Sequence, residues 1–256
     1  KGYWNFNTGS GTTLTDQTSN GNHGTIYGAT WSTDVPFTPD YSLSFDGTDD
    51  YVDITYPISS GTSDITYSIW FKLDNLNSQY IIGSQSSSGD LFELYYNSGN
   101  SNFQFMIRNG TYTNVEGGSI SPGSWYHASM VRDYDDSLKL YINGNQVAAS
   151  ITLTGSLNPS IRIGVESGSS EYLNGYIDEF AIWDDALTAN EISALYNSGS
   201  GLSASSNSGN YTSSANLKGY WNFNTGSGTT LTDQTSNGNH GTIYGATWST
   251  DVPFTP

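Results

Sequence analysis

The segment SLSFDGTDDYVDI, at residues 42–54, alternates apolar and polar residues, and ITYSIWFKL at residues 65–73 repeats the pattern. Alternation with a period of two is typical of a β-strand that turns one face to the core. Further short runs of this kind follow at intervals of about 8–12 residues, separated by Gly- and Asn-rich turns. One of these turns contains Asn143–Gly144, a dipeptide typical of a tight hairpin. The pattern therefore predicts an all-β sandwich or barrel.

A single helix is predicted after the last strong strand, GYIDEFAIW. In the segment DALTANEISALYNSG, Thr188 stands three residues before Glu191, which is the spacing of a capping box. Ile192 and Leu195 give this segment an apolar face, and Gly199 is expected to end the helix. The expected fold is thus all-β with one short C-terminal helix.

The two ends of the chain carry the same 39 residues. The segment KGYWNFNTGSGTTLTDQTSNGNHGTIYGATWSTDVPFTP occupies residues 1–39 and recurs without a substitution at residues 218–256. Residues 201–216 consist almost entirely of Ser, Gly, Asn, Ala and Thr, a composition typical of a flexible linker. We therefore expect one complete domain at residues 1–200, a linker at 201–216, and the start of the next identical repeat at 217–256.

The second copy has two interpretations. A segment with about two strands is marginal in water by itself, so its aromatic residues need a partner sheet. In the first interpretation it is the truncated start of the next domain in a tandem array. In the second it is a donated segment that completes a neighbour's sheet in place of that neighbour's own residues 1–39, with Trp221, Phe223 and Trp248 at the contact. Such head-to-tail contacts would build filaments.

The charge of the chain limits its partners. It has 24 acidic and 7 basic residues, for a formal net charge of -17. Nucleic acids and anionic membranes are bound through clustered Lys and Arg, so neither is an expected partner. The lack of cysteine excludes disulfides and thiol chemistry, and no apolar run reaches the roughly 18 residues of a membrane-spanning helix. The surplus of carboxylates favours a divalent cation instead.

Calcium is the expected cofactor. Asp16, Asn20 and Asn22 crowd one Gly-containing loop, which offers carboxylate, amide and backbone oxygens together. Because Ca²⁺ takes about six to eight oxygen ligands, the loop would need further carboxylates from elsewhere. The alternative interpretation is that these residues only cap a turn through side chain to backbone hydrogen bonds. A second acidic cluster at residues 46–53 is interpreted as a solvated hairpin turn.

Several motifs in consistent order carry a family resemblance. GYWNFN, DQTSNGNHGTIYGATW, SLSFDGTDDYVDI and YSIWFKL are followed by GSWYHASMVRD, LKLYINGNQV, SIRIGVE and GYIDEFAIWDDALTANEISALY. The chain resembles the concanavalin A-like lectin/glucanase superfamily, and within it the laminin-G-like domains of bacterial surface proteins. The resemblance implies a two-sheet antiparallel jelly-roll sandwich. It does not imply one activity, because this fold hosts many functions.

The resemblance also bears on the candidate sites. Similar domains often hold a structural calcium between the Asn-rich loop and the Ile-Asp-Glu strand, which points to Asp178 as the distant ligand. Glucanases of the superfamily carry their carboxylates as Glu-x-Asp-x-x-Glu on one strand, and this spacing does not occur here. Asp178 and Glu179 are adjacent, so their side chains are expected on opposite faces of the strand. No enzyme activity is therefore expected.

The expected function is a non-catalytic, calcium-stabilised repeat module of an extracellular or cell-surface adhesin or filament, bacterial in origin. Its expected partners are identical repeats or subunits, and glycans. The alternative is a lectin-like carbohydrate-binding module. In that case Tyr80, Tyr95 and Tyr112, which lie near loops or on the polar phase of strands, are the expected sugar contacts.

Overall fold

A computed structural model describes residues 1–4, 6, 10–31, 40–54, 64–85, 91–108, 112–133, 137–150 and 161–254. The chain divides into two compact units, Lys1–Thr38 and Pro39–Pro256. The smaller unit is the first copy of the repeat, in which β1 (Thr13–Leu14) pairs antiparallel with β2 (Gly24–Thr25). The division thus differs from the predicted boundary near residue 200. The reason is that the second copy supplies strands to the sheets of the larger unit.

Eight strands form the first sheet of the larger unit, and all of them pair antiparallel. They are β3 (Ser42–Asp46), β5 (Ile65–Leu73), β10 (Trp125–Asp133), β11 (Ser137–Ile142), β12 (Asn145–Ser150), β14 (Asn174–Trp183), β15 (Leu217–Trp221) and β18 (Thr247–Ser249). The order across the sheet is β12-β11-β10-β5-β14-β3-β18, and β15 pairs with the second half of β14. Every residue of the central strand β5 is buried.

The second sheet also has eight antiparallel strands. They are β4 (Tyr51–Ile54), β6 (Gln79–Ser84), β7 (Leu91–Asn97), β8 (Asn102–Arg108), β9 (Tyr112–Gly117), β13 (Ile161–Ile163), β16 (Thr230–Leu231) and β17 (Gly241–Tyr244). Their order is β16-β17-β4-β13-β6-β7-β8-β9. The predicted hairpin turn at Asn143–Gly144 is confirmed between β11 and β12, with positive φ angles of 51° and 74°.

The two sheets pack face to face around one apolar core. The ring of Phe71 on β5 lies 5.2 Å from that of Phe103 on β8, and Tyr67 lies 4.1 Å from Phe92. The period-two pattern of the strands produces this arrangement, because alternate side chains point to the same face. The prediction of a two-sheet antiparallel jelly-roll sandwich is confirmed. Within the described ranges, no helix has the length and apolar character that a membrane crossing requires.

The predicted helix is confirmed as α1 (Ala189–Tyr196). The Glu191 backbone N–H donates to Thr188 Oγ1, and the Thr188 backbone N–H donates to Glu191 Oε2 at 3.0 Å, so both halves of the capping box are present. The helix ends at Asn197, whose φ of 48° is left-handed, rather than at the predicted Gly199. Asparagine can take this conformation because its side chain bonds locally; here its amide donates to the Gly201 carbonyl.

Residues 201–216 are not the flexible linker that their composition predicts. Ala204 and Tyr211 are buried in a second apolar cluster with Trp183 of β14 and the apolar face of α1. The Trp183 indole N–H donates to the Tyr211 hydroxyl at 2.9 Å, and that hydroxyl donates to the Ala204 carbonyl at 2.8 Å. The Ser213 hydroxyl donates to the capping residue Glu191 at 2.7 Å. This segment therefore covers the outer face of the first sheet.

The second copy closes the sandwich. Its strand β15 pairs with β14, β17 pairs with β4, and β18 pairs with β3, so the copy joins both sheets. Trp221 and Phe223 are buried in the core and Trp248 is half-buried against it. These three residues, predicted to contact a neighbouring subunit, contact the body of their own chain in this structure. From here on, residues 40–217 are called the body.

The packing of residues 201–216 predicts that Tyr211→Ala lowers the free energy of unfolding by about 3–5 kcal/mol, because it removes a buried aromatic ring. Tyr211→Phe should cost about 1–3 kcal/mol, since it leaves the buried Trp183 N–H without its acceptor. Urea unfolding measures both. Ser206→Ala, at an exposed position of the same segment, is the control. If the two Tyr211 variants unfold at the same urea concentration as Ser206→Ala, residues 201–216 are a flexible linker after all.

Candidate functional site

Tyr80 and Tyr95 form an aromatic pair on the outer side of the second sheet. They lie opposite each other on β6 and β7, with ring centroids 4.6 Å apart. The Tyr95 hydroxyl donates to Glu171 at 2.9 Å, and the Tyr80 hydroxyl is hydrogen-bonded to Glu166. Burial raises the pKa of both phenols, and the neighbouring carboxylates raise it further. Both rings are half-buried and held at their polar ends.

A polar cleft of about 270 Å³ adjoins this pair. Glu171 belongs to both features, because it accepts the Tyr95 hydroxyl and lines the cleft. Opposite it, the loop between β5 and β6 contributes two asparagines and a serine. The complete lining is Gly47, Asn75, Asn77, Ser78, Ser170, Glu171, Tyr172 and Asn174. The cleft thus combines amide, hydroxyl and carboxylate groups beside an aromatic surface.

A second group of polar side chains surrounds Glu116 on β9. Its carboxylate accepts four amide N–H groups at 2.7–3.3 Å, from Asn100, Asn102, Gln104 and Asn114. The side-chain oxygen of Asn102 is buried and has no hydrogen-bond partner among the described residues. Asn102 also lines a larger open cleft of about 620 Å³, with Tyr126, Asn143 and Asn145. This larger cleft is a second place where a polar ligand would find amide groups.

The three predicted sugar contacts are thus only partly brought together. Tyr80 and Tyr95 are neighbours, whereas Tyr112 is on β9, at the far edge of the strand order β6-β7-β8-β9. Sequence reasoning missed Glu166 and Glu171. They lie in the irregular segment between β13 and β14, where no periodic pattern marks a side chain as facing a site.

The loop predicted to bind calcium is held by hydrogen bonds to a single carboxylate. Asp16 accepts the backbone N–H groups of Tyr3, Thr18 and Asn22, each at 3.0 Å. The N–H of Tyr3, followed by that of Thr18, holds the pKa of Asp16 well below its usual range. The Asn20 amide donates to the Lys1 carbonyl. A cation would have to displace these donors, so the geometry favours the turn-capping interpretation, and calcium at this loop stays a prediction.

The predicted ligand Asp178 belongs to the other unit. Asp16, Asn20 and Asn22 lie in the first copy, whereas Asp178 is buried in β14 of the larger unit. The Asp16 counterpart in the second copy, Asp233, accepts the equivalent N–H groups of Tyr220, Thr235 and Asn239 at 2.9–3.1 Å. Both copies therefore use this carboxylate in the same way.

Asp178, which is buried, and Glu179, which is half-buried, form an acidic pair at a β-bulge. The register of β14 against β5 shifts between Asp178 and Ala181, and Glu179 has a φ of 51°. The bulge interrupts the expected alternation of faces at this pair. Burial raises the pKa of Asp178, as does the charge of Glu179. Burial also raises the pKa of Glu179 to about 8, although the Tyr220 hydroxyl that donates to it acts in the opposite direction.

One further carboxylate group stands out within the described residues. Oxygen atoms of Asp46, Asp49 and Asp50 lie within 4.8 Å of one another. Asp50 accepts the Asp46 backbone N–H at 2.9 Å, and Asp46 accepts that of Thr48 at 2.8 Å. Burial raises the pKa of Asp50. The hydrogen bond from the Asp46 backbone lowers this pKa in part, and the negative charges of Asp46 and Asp49 raise it further. The turn predicted at this position is present.

Comparison with known proteins places these features in a family. The family model of the concanavalin A-like lectin/glucanases superfamily matches residues 46–193. The adhesion G-protein coupled receptor D1 of Homo sapiens is 28% identical over 161 residues, which are 59% of this chain and 18% of the receptor. The chain therefore spans less than a fifth of the length of that relative.

Two solved structures share the fold. One is a protein from Bacteroides ovatus described as carbohydrate-binding, with 17% identity and a TM-score of 0.64; the alignment covers 92% of this chain and 68% of that one. The other is domain 4 of an extracellular arabinanase from Geobacillus stearothermophilus, solved in complex with arabinotriose. It has 19% identity and a TM-score of 0.51, and the alignment covers 77% of this chain and 86% of that one.

The raised pKa of Glu179 predicts a pH dependence of stability. Between about pH 4.5 and pH 8 the folded chain keeps a proton that the unfolded chain has released, so stability falls as pH rises through this window. Glu179→Gln cannot ionise, and its unfolding free energy should fall less steeply. Urea unfolding at pH 5, 6, 7 and 8 in EDTA measures the slopes. Parallel curves for the two proteins would contradict the assignment.

Proposed function

We propose that this chain, which belongs to the concanavalin A-like lectin/glucanases superfamily, is a non-catalytic, extracellular carbohydrate-binding or adhesion-type module. The observation that carries the proposal is the Tyr80–Tyr95 pair beside the cleft that contains Glu171. The similarity to a protein described as carbohydrate-binding and to a domain solved with arabinotriose supports it. The lack of the Glu-x-Asp-x-x-Glu spacing supports the non-catalytic part.

The chemistry of the cleft suits a neutral sugar. A tyrosine ring offers an apolar face to the C–H groups of a pyranose or furanose while its hydroxyl stays hydrogen-bonded. Glu171 can accept sugar hydroxyl groups, and the amides of Asn75 and Asn77 can both donate and accept. Few polar groups in a fixed arrangement beside an apolar surface are typical of small-ligand sites. The anchored tyrosine hydroxyls keep this surface in place before a ligand arrives.

This proposal predicts that Tyr95→Ala weakens glycan binding at least about tenfold, which corresponds to about 1.4 kcal/mol. The first probe is arabinotriose, followed by a printed array of neutral glycans, with affinities measured by calorimetry. Tyr95→Phe separates the ring from its hydrogen bond to Glu171. Asn102→Ser, in the larger cleft, is the matched control.

Two outcomes would contradict this site. Loss of binding in Asn102→Ser with wild-type binding in Tyr95→Ala would move the ligand to the larger cleft. No binding to any glycan would leave adhesion to a protein partner as the function. Release of reducing sugar from a bound glycan would contradict the non-catalytic assignment.

We also propose that the module binds calcium. Asp178 and Glu179 place a buried and a half-buried carboxyl group next to each other, where a divalent cation would relieve their repulsion. The oxygen-rich Asp46, Asp49 and Asp50 group also suits a hard cation. The net charge of -17 adds a general attraction for cations. The loop of Asp16 fits less well, because N–H donors occupy its carboxylate.

Asp178→Asn tests whether calcium binds to the pair of Asp178 and Glu179. If calcium binds there, the variant should lose the rise in melting temperature that CaCl₂ gives the wild type over EDTA. If no calcium binds, the variant should match or exceed the stability of the wild type, because a buried ionisable group is replaced by a neutral one of the same size. Asp46→Asn tests the second carboxylate group in the same melting experiment.

The exact duplication also supports a place in a tandem array on a bacterial surface. Repeated modules on one chain raise the avidity for a repetitive glycan without any new contact. A protein with two linked sandwiches should bind an immobilised polysaccharide far more tightly than the present chain does.

A further inference from the structure

The two copies of the repeat share several local contacts among the residues that the structure describes. In the first copy the Trp4 indole N–H donates to the Asn22 carbonyl at 3.0 Å, and in the second Trp221 donates to Asn239 at 2.9 Å. The carboxylates of Asp16 and Asp233 collect the same backbone donors, as described above. Even the unusual positive φ recurs, at 56° for Phe6 and 54° for Phe223. The first copy therefore keeps these contacts while it belongs to a separate compact unit.

What differs between the copies is the exposure of their aromatic residues. Trp221 and Phe223 are 0% and 1% exposed, whereas Trp4 and Phe6 are 36% and 62% exposed. Tyr3 and Tyr27 of the first copy are exposed as well. The first copy thus leaves Trp4 and Phe6 outside the core, whereas the second copy buries their counterparts Trp221 and Phe223 in it. Such an exposed aromatic group is typical of an interaction surface.

The groove that the second copy fills is defined by specific contacts. Trp221 stacks on Phe180 of β14, with ring centroids 5.2 Å apart, and Tyr244 stacks on Tyr51 of β4 at 4.6 Å. Asp251 forms an ion pair with Lys72 and accepts the Trp125 indole N–H. Every one of these contacts uses a residue of the repeat, so each has an identical counterpart in residues 1–39.

We propose that residues 1–39 are a second closing segment, able to occupy the groove of the body in place of residues 218–256. The described part of the segment already makes the internal hydrogen bonds of the docked copy, which lowers the cost of ordering it on association. The connection from this segment to β3 is also long enough. Ser249 pairs with Ser42 in β3, and its counterpart Ser32 precedes Ser42 by nine intervening residues, enough for an antiparallel connection.

A consequence for assembly follows. Residues 1–256 include the groove of the body and two identical segments, so when one segment occupies the groove the other is left over. The surplus segment fits the groove of a second copy of this chain, and strand exchange of this kind joins molecules without any new type of interface. This inference concerns closure of the sandwich and does not depend on glycan binding.

Three variants of the full chain test the proposal. Trp221→Ala with Phe223→Ala disables the second copy, and Trp4→Ala with Phe6→Ala disables the first. The third variant carries all four substitutions. We expect the W4A/F6A variant to melt like the wild type, because the second copy still closes the sandwich. The W221A/F223A variant should melt only slightly lower, because the first copy takes over. The fourfold variant should melt more than about 10 °C lower or fail to fold.

A peptide of residues 218–256, which is identical to residues 1–39, then tests docking between molecules. Added to the fourfold variant, it should restore the melting transition and co-elute with the protein, whereas a peptide with the two aromatic substitutions should not. Equal melting temperatures for the W221A/F223A and fourfold variants would overturn the proposal. Failure of the unsubstituted peptide to restore the transition would overturn docking between molecules.

Discussion

The pairing of β15 with the end of β14 is the interaction on which the sandwich depends. It places Trp221 in the core against Phe180, and it brings the rest of the second copy alongside β3 and β4. Both sheets consequently end on the same 39-residue segment. Sheets with open edges and a partly exposed core are poorly stable, so the body and its closing segment form one folding unit. They do so although the contacts between them are distant in sequence: the Tyr41 backbone N–H donates to the side-chain oxygen of Asn224, 183 positions later, at 2.9 Å.

Much of this fold follows from local patterns. Period-two alternation predicts the strands, the Thr188–Glu191 spacing predicts the helix, and Asn143–Gly144 predicts the turn. The domain boundary could not be predicted in the same way, since two identical segments carry no information about which of them fills the groove. The linker was mispredicted because its small polar residues conceal two anchors, Ala204 and Tyr211, whose role depends on distant partners.

The candidate site likewise combines features that the local sequence predicts with features that depend on distant residues. The polar phase of β6 and β7 indicates that Tyr80 and Tyr95 face outward, and register brings them together. The carboxylates that hold their hydroxyls come from a segment without regular structure, about 70–90 residues further along the chain. Asp16 was predicted as a metal ligand on composition, yet the same composition suits a carboxylate that collects backbone N–H groups. Only three-dimensional geometry distinguishes the two.

The helix α1 and residues 201–213 cover the outer face of the first sheet, so the two outer faces of the sandwich differ. The outer face of the first sheet is covered by the molecule's own chain, while the outer face of β6 and β7 carries the tyrosine pair, next to the cleft that Glu171 lines. A ligand of the proposed sugar site would therefore meet the larger unit at its second sheet. The larger unit thus has two unlike outer faces, one covered by its own helix and connecting segment and one that presents the tyrosine pair.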